Sequence, residues 1–584
     1  MSYQGDRNGF PPGAHEQGDT AVVVEERRGS LAHVGGFGVT GTGVEGPNQL
    51  FDETVAQPAD RSQEVFRLER DPKTYEVSVE SDHGVDDYQA ITNPEDWALL
   101  QHEAEALKGS KWVFINPTME GGGVAMIRPP AVKLMKDLGV EAHWYVMEPI
   151  EDPADGDPFK FTKQMHNVSQ RQSDERLTEE GKALHKQWAD TENGPVLEAQ
   201  EPIRNADFIV IDDPQPAPVI RRLKEANPNA RFIWRNHIDT DHDLMADPST
   251  PQGEVASYLL DELGVRDVDA VLAHPVPKFI HPGMENRTYF GPATADPFDN
   301  LNRHLGPEEV EEGIDFINEE IRAKNAELVA EGRPEDVQPL LDTDPERQRI
   351  TLIARFDPSK GMDKAMEMGV QTRRKMRAQG VPEAELPEVV IVGNGSVDDP
   401  DGVPMLDAML RLRRERYPDE ADGIIVMRLK HNYDAMNALT SRSSIVMQTS
   451  DAEGLETRVS DAIQHGKPVV VSNRGGIKTQ VIEGQSGLIL DYDKPGHDLD
   501  RGSDFMSHLL TDPEAYAAML ASTKQAAAFN RREFTTTANV TRLLRIGNRL
   551  RQYPGGHADK VWKISDMVAS RTKTAESGDF AAAA

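Results

Sequence analysis

From Lys111 onward the hydrophobic residues come in short bursts. "KWVFINP", "EAHWYVM", "ADFIVIDD", "ARFIWRNH" and "VDAVLAH" are apolar runs rich in β-branched and aromatic residues, with the length and continuity of strands buried on both faces. Segments such as "VKLMKDLG" and "PVIRRLKEANP" separate them and read as helices. This βαβ alternation predicts a parallel sheet covered by helices on both sides. The rhythm relaxes over the charged, proline-bearing stretch 328–348 and restarts with "RITLIARFD", "PEVVIVGNG", "GIIVMRL", "SSIVMQTS" and "KPVVVS". The chain is therefore expected to be α/β, with two doubly wound, Rossmann-like domains facing a cleft.

The flanks differ. "TYEVSVE" (74–80) alternates as a half-buried strand does. Residues 1–70, rich in Gly, Pro, Gln, Asp and Glu, are expected to form a disordered acidic segment, because so few large apolar side chains cannot offset the entropy of ordering. The expected organisation is then a first Rossmann-like domain over 71–335, a second over 345–498, C-terminal helices over 499–555 and a frayed tail over 556–584. Ligands of such sheets bind beyond the carboxyl ends of the strands, so facing domains predict an interdomain site.

Composition narrows the classes of function. The 584 residues include no cysteine, which excludes disulfides, thiolate metal sites and thiol nucleophiles. No run approaches the ~18 consecutive apolar residues that a membrane span needs. These features suggest a soluble, cytoplasmic protein. A formal charge of −35 argues against nucleic acid and anionic membranes as partners. That acidity reads equally as adaptation to high salt or as an ordinary acidic surface.

The candidate chemistry clusters where strands give way to helices. In "FINPTMEGGGVAM", Gly121, Gly122 and Gly123 lie between a strand and a helix, where bare backbone amides can approach a phosphate or sugar, although a tight connection would have the same composition. "RFDPSKG" sets Arg355 and Lys360 at a strand's carboxyl edge, as a fork and a point charge for phosphate, or as an Arg paired with Asp357 and a solvated Lys. "TSDAEGLETRVSDAIQHG" places Glu453 in the next such loop, then Glu456, Arg458 and, inside the following helix, Asp461. A loop carboxylate there can accept hydrogen bonds from sugar hydroxyls or cap the helix. "WRNHID" puts His237 and Asp239 just past a buried strand, and "DDPQ" offers Asp212, Asp213 and Gln215, with Asp213 also suited to shape the turn before Pro214. The histidine and aspartates of "HIDTDHDL" make no persuasive metal site, and no cofactor is expected.

Taken in order, "GGGVA", "DDPQPAPVI", "WRNHID", "HPVPKFI", "PATADPF", "RFDPSKG" and "EGLETRVSD" resemble the retaining GT-B glycosyltransferases whose mark is Glu, seven residues, then a second acid; the likeness is greatest to their trehalose branch, over about residues 110–495. Asp461 stands where that family commonly has Glu. The resemblance implies an enzyme of trehalose metabolism acting on a small-molecule sugar with phosphate or a nucleotide sugar, and a homodimer is common among such enzymes. "EGLETRVS" is similar to the phosphorylases, whereas members that use a sugar nucleotide usually have Gly in place of Glu456 and a small or apolar residue in place of Arg458. By the same resemblance Arg355, Lys360 and Arg458 would hold phosphate with the Gly121 to Gly123 loop. Glu453 and His237 would flank the transferred glucose, and Asp212, Asp213 and Gln215 would meet the acceptor. The alternatives are a trehalose synthase using nucleotide-glucose and glucose, and a sugar-binding protein without turnover.

Overall fold

The computed structural model describes residues 65–119, 123–148, 158–394, 402–494 and 498–552. It opens with an antiparallel ribbon of β1 (Arg67–Arg70) and β2 (Val77–Glu80). The expectation of disorder through residue 70 is thereby corrected at its end: β1 has a backbone partner, and Phe66 and Leu68 pack against the buried core that includes Val77 and Val79. The rest of the acidic segment and the 556–584 tail lie outside the described residues.

The apolar runs form two six-stranded sheets. The first contains β3 (Lys111–Asn116), β4 (Glu141–Val146), β5 (Phe208–Asp212), β6 (Arg231–Asn236), β7 (Ala270–Ala273) and β8 (Thr288–Phe290), in the order β4-β3-β5-β6-β7-β8. The second contains β9 (Arg349–Ile353), β10 (Glu388–Asn394), β11 (Ile424–Leu429), β12 (Ile445–Gln448), β13 (Val469–Ser472) and β14 (Gly487–Leu490), in the order β11-β10-β9-β12-β13-β14. Every pairing in both sheets is parallel. Each strand needs a crossover to reach the next, and helices on both faces bury it, which is why the runs are continuously apolar.

The strand order decides where a ligand can sit. In the first sheet the chain lays β4 on one side of β3 and then returns to lay β5 on the other; in the second, β10 and β11 go to one side of β9 and β12 to the other. These reversals open crevices at the carboxyl ends of β3/β5 and β9/β12, where neighbouring crossovers diverge.

The C-terminal helices do not stay with the second sheet. Helix Thr536–Gln552 crosses back and buries Val540, Leu543, Leu544 and Leu550 in the first lobe's core with Trp112 and Trp144. Asn539 accepts a hydrogen bond from Arg235 Nη1 at 3.3 Å, and Thr536 donates to Asp296. No described helix is long and apolar enough to cross a membrane.

Candidate active site

The carboxyl ends of β3, β5 and β6 face those of β9 and β12 across a cleft with a cavity of about 220 Å³. Gly123, Asp213, Gln215 and His237 line it from the first lobe, and Arg355, Lys360, Glu453, Glu456 and Arg458 from the second. Gly121 and Gly122 lie outside the described residues. The lobes meet closely: a Cβ on Gly454 would stand 1.9 Å from the His237 carbonyl oxygen, so a side chain at that position would force them apart. The Glu453 backbone N–H crosses the gap to donate to Asp239 Oδ2 at 3.2 Å.

The phosphate-clamp candidates begin where β9 ends. Asp357 caps the short turn Pro358–Lys360, accepting from the Ser359 N–H at 2.8 Å and from its hydroxyl at 2.6 Å, which aims Lys360 inward. Gly361 follows with φ of +60°, and a Cβ there would be 2.3 Å from the Thr449 carbonyl, so this turn needs glycine. Burial disfavours charge on the Lys360 ammonium, yet Glu453 and Glu456 outweigh it and hold its pKa above the usual lysine value. The ammonium donates to both, at 2.6 Å to Glu456 Oε2. Burial raises Glu453, whereas Lys360 holds Glu456 below the ordinary range despite burial. Glu456 Oε1 also accepts the Arg458 N–H at 3.3 Å and so caps helix Thr457–Gln464.

The crowded acids of "EGLETRVSD" thus divide their work. Glu453 and Glu456 share Lys360, while Asp461 accepts from Arg458 Nη1 at 2.8 Å one helical turn on. Asp461 is buried, and burial raises its carboxyl to about 6. It stands behind the cleft wall, anchoring Arg458, and does not line the cavity itself.

Asp212 and Asp239 also stand behind the wall; Asp212, expected to meet the acceptor, does not line the cavity, and neither does Asp239. Both oxygens of Asp212 accept from Arg128, at 2.7 and 2.6 Å, and both side chains are 0% exposed. Against the cost of burial, Arg128 keeps Asp212 ionised, well below the usual carboxylate range. Asp212 Oδ1 is 3.6 Å from His237 Nε2, beyond hydrogen-bond distance, so it acts on the imidazole through its charge. Burial, reinforced by Arg235, lowers His237 to about 4 and leaves it neutral. Asp239 accepts from Arg171 at 3.1 Å, and its burial raises it to about 6.

Asp213 does reach the cavity, with φ of +67°, a strained conformation that Asp tolerates better than most residues. Burial and the neighbouring Asp212 raise its carboxyl to about 7. Its Oδ1 accepts the His237 N–H at 3.0 Å. Gln215 Oε1 is a buried acceptor without a partner among the described residues, suited to a ligand hydroxyl. Among the described residues no group of three or more His, Asp or Glu could hold a metal; Asp241 of "HIDTDHDL" is paired with Arg171 and His242 with the Ile280 carbonyl.

Sequence reading missed the cleft face of helix Pro158–Ser169. Phe159, Thr162, Lys163 and His166, with Gln170 just beyond, line the cavity. Their spacing of three or four marks one helical face, but polar residues in that pattern ordinarily signify solvent. His431 and Tyr433, after β11, were missed too.

The family described as "Trehalose synthase, N-terminal domain" matches residues 114–281, and "Glycosyl transferases group 1" matches residues 347–506. A trehalose phosphorylase of Pleurotus pulmonarius is 32% identical over 75% of this chain and 58% of its own length, so the chain spans little more than half of that relative. A trehalose synthase of Pyrococcus horikoshii is 29% identical over 80% of this chain and 96% of its own. Among solved structures, an α,α-trehalose-phosphate synthase (UDP-forming) from Burkholderia xenovorans, in complex with glucose-6-phosphate, shares the fold with a TM-score of 0.53 at 15% identity, covering 75% of this chain and 100% of that one.

Proposed function

We propose, from the premise that this chain belongs to the GT-B glycosyltransferases of the trehalose branch, that it moves an α-glucosyl group between trehalose and inorganic phosphate with retention. In one direction trehalose and phosphate give glucose 1-phosphate and glucose. The glycosidic C1–O bond breaks, a phosphate oxygen bonds to C1 from the same face, and the phosphate O–H passes its proton to the departing glucose oxygen. No carboxylate nucleophile is required by this front-face route.

Glu456 supports phosphate over a nucleotide sugar. A free helix N-terminus attracts a diphosphate; here the start of Thr457–Gln464 is already capped by Glu456, whose other oxygen neutralises Lys360. A second anionic phosphate beside that carboxylate would be repelled in a poorly hydrated cleft. A single phosphate can instead sit against Arg355 and Arg458, stabilised as charge grows on it. Glu453, held by Lys360, presents its second oxygen to the glucose, and neutral His237 lines the other side. Asp213 and Gln215 take the acceptor sugar. A cysteine-free chain suits a cytoplasmic place in carbohydrate metabolism.

The trehalose synthase reading is kept because the chain covers 96% of the Pyrococcus horikoshii relative. Incubation with trehalose and phosphate should release glucose 1-phosphate, with a parallel reaction of nucleotide-glucose and glucose staying silent. Turnover only in the parallel reaction overturns the phosphorylase reading in favour of the synthase; silence in both favours a sugar-binding protein.

A further inference from the structure

Helix Pro158–Ser169 brings a cation to the cleft from the first lobe. Lys163 Nζ donates to Asp357 Oδ2 at 2.5 Å, and the two residues come from opposite lobes, 194 positions apart. The lysine side chain is 11% exposed. An ammonium carries three donors, and this is the one hydrogen bond the Lys163 ammonium makes among the described residues. Two unused donors on a nearly buried charge are costly unless a further acceptor arrives. Asp357 leaves the ammonium little room to swing away, because the Ser359 N–H and hydroxyl pin the carboxylate in place. His166, one turn along the same face, is lowered to about 3 by burial and then by the fields of Lys163, Arg355 and Lys360. Cations of both lobes therefore converge on one volume, and the neutral imidazole beside them adds no competing charge.

We propose that Lys163 is the first lobe's ligand for the phosphate: the anion of inorganic phosphate or of an α-glucosyl phosphate bridges Lys163 and Arg355, so that its binding reinforces the contact between the lobes that Lys163 and Asp357 already make. This rests on the phosphorylase reading. In the resting state Asp357 holds the ammonium in position with one donor, and the phosphate engages the remaining two. A sugar alone offers Lys163 no further anionic acceptor, so the added hold on helix Pro158–Ser169 depends on the anion.

The test uses the full-length protein with Lys163→Gln and Lys163→Arg. Phosphorolysis should show KM for phosphate raised roughly 10- to 100-fold in Lys163→Gln, the value of one charge-assisted hydrogen bond, with KM for trehalose within about twofold; Lys163→Arg should recover much of the loss. Hydrogen exchange of amides 158–169 should slow on addition of inorganic phosphate to the wild type and not to Lys163→Gln, against a chloride control of equal ionic strength. An unchanged phosphate KM in folded Lys163→Gln overturns the proposal, as does an equal rise in both KM values, which would make Lys163 only a tether. If the wild type forms no glucose 1-phosphate, the phosphorylase reading fails by itself. The exchange experiment still judges the lysine: absence of phosphate-dependent protection in the wild type overturns it.

Discussion

The buried pair behind His237 gives the sharpest quantitative expectation. Arg128→Met removes a guanidinium that makes two bonds of 2.7 and 2.6 Å to Asp212, with neither side chain exposed to solvent. Met fills much of the same volume, so the dominant effect is a carboxylate left buried without its cation. Breaking such a pair by removing one partner costs about 3–5 kcal/mol. At roughly 2–4 °C per kcal/mol for a lobe of this size, the first lobe should melt roughly 6–20 °C lower. In a Trp562→Phe background tryptophan fluorescence isolates that lobe, because every tryptophan among the described residues (Trp97, Trp112, Trp144, Trp188 and Trp234) lies in its two cores. The double variant Arg128→Met/Asp212→Asn removes the stranded charge and should regain at least half of the loss. A single variant within about 1 kcal/mol of wild type by urea unfolding, or a double variant no better than the single, would refute the argument that Asp212 is ionised and held by Arg128.

Three further outcomes follow from the site. Arg355→Ala should lose on the order of 10²- to 10³-fold in turnover while keeping its unfolding midpoint, because a preorganised donor to the departing phosphate is gone; near-normal kcat would remove Arg355 from the clamp. Asp239 is charged above its raised pKa of about 6 and neutral below it. As pH falls through 6 its grip on the Glu453 N–H weakens, so kcat/KM should decline on the acid side near pH 6, and Asp239→Asn should flatten that limb; a limb unchanged in the variant assigns it elsewhere. Glu456→Gln keeps a side-chain oxygen for the helix cap but removes the negative charge, so inhibition by a nucleoside diphosphate should strengthen by roughly tenfold, about 1.4 kcal/mol of relieved repulsion. Unaltered inhibition would show that Glu456 does not govern donor choice.

The pattern of short apolar runs settled the class of fold, since strands buried on both faces must be continuously hydrophobic and helices must cover them. The same pattern located Arg355, Glu453 and His237, because each lies within a few residues of the carboxyl end of such a run and carboxyl ends of parallel strands are where ligands sit. Local sequence could not assign partners. "EGLETRVSD" spells three acids and a base, but that Glu453 and Glu456 clasp Lys360, from another loop, while Asp461 takes Arg458, depends on how β9 and β12 lie side by side. Asp212 and Asp213 are adjacent in the chain and opposite in role because the backbone turns between them, sending one inward to Arg128 and the other to the cavity. Lys163, and the helix that returns from the second lobe to complete the first lobe's core, were hidden for a related reason. A periodic pattern tells which face of a helix is polar or apolar, whereas only the packed chain decides whether that face meets water, a core or a cleft.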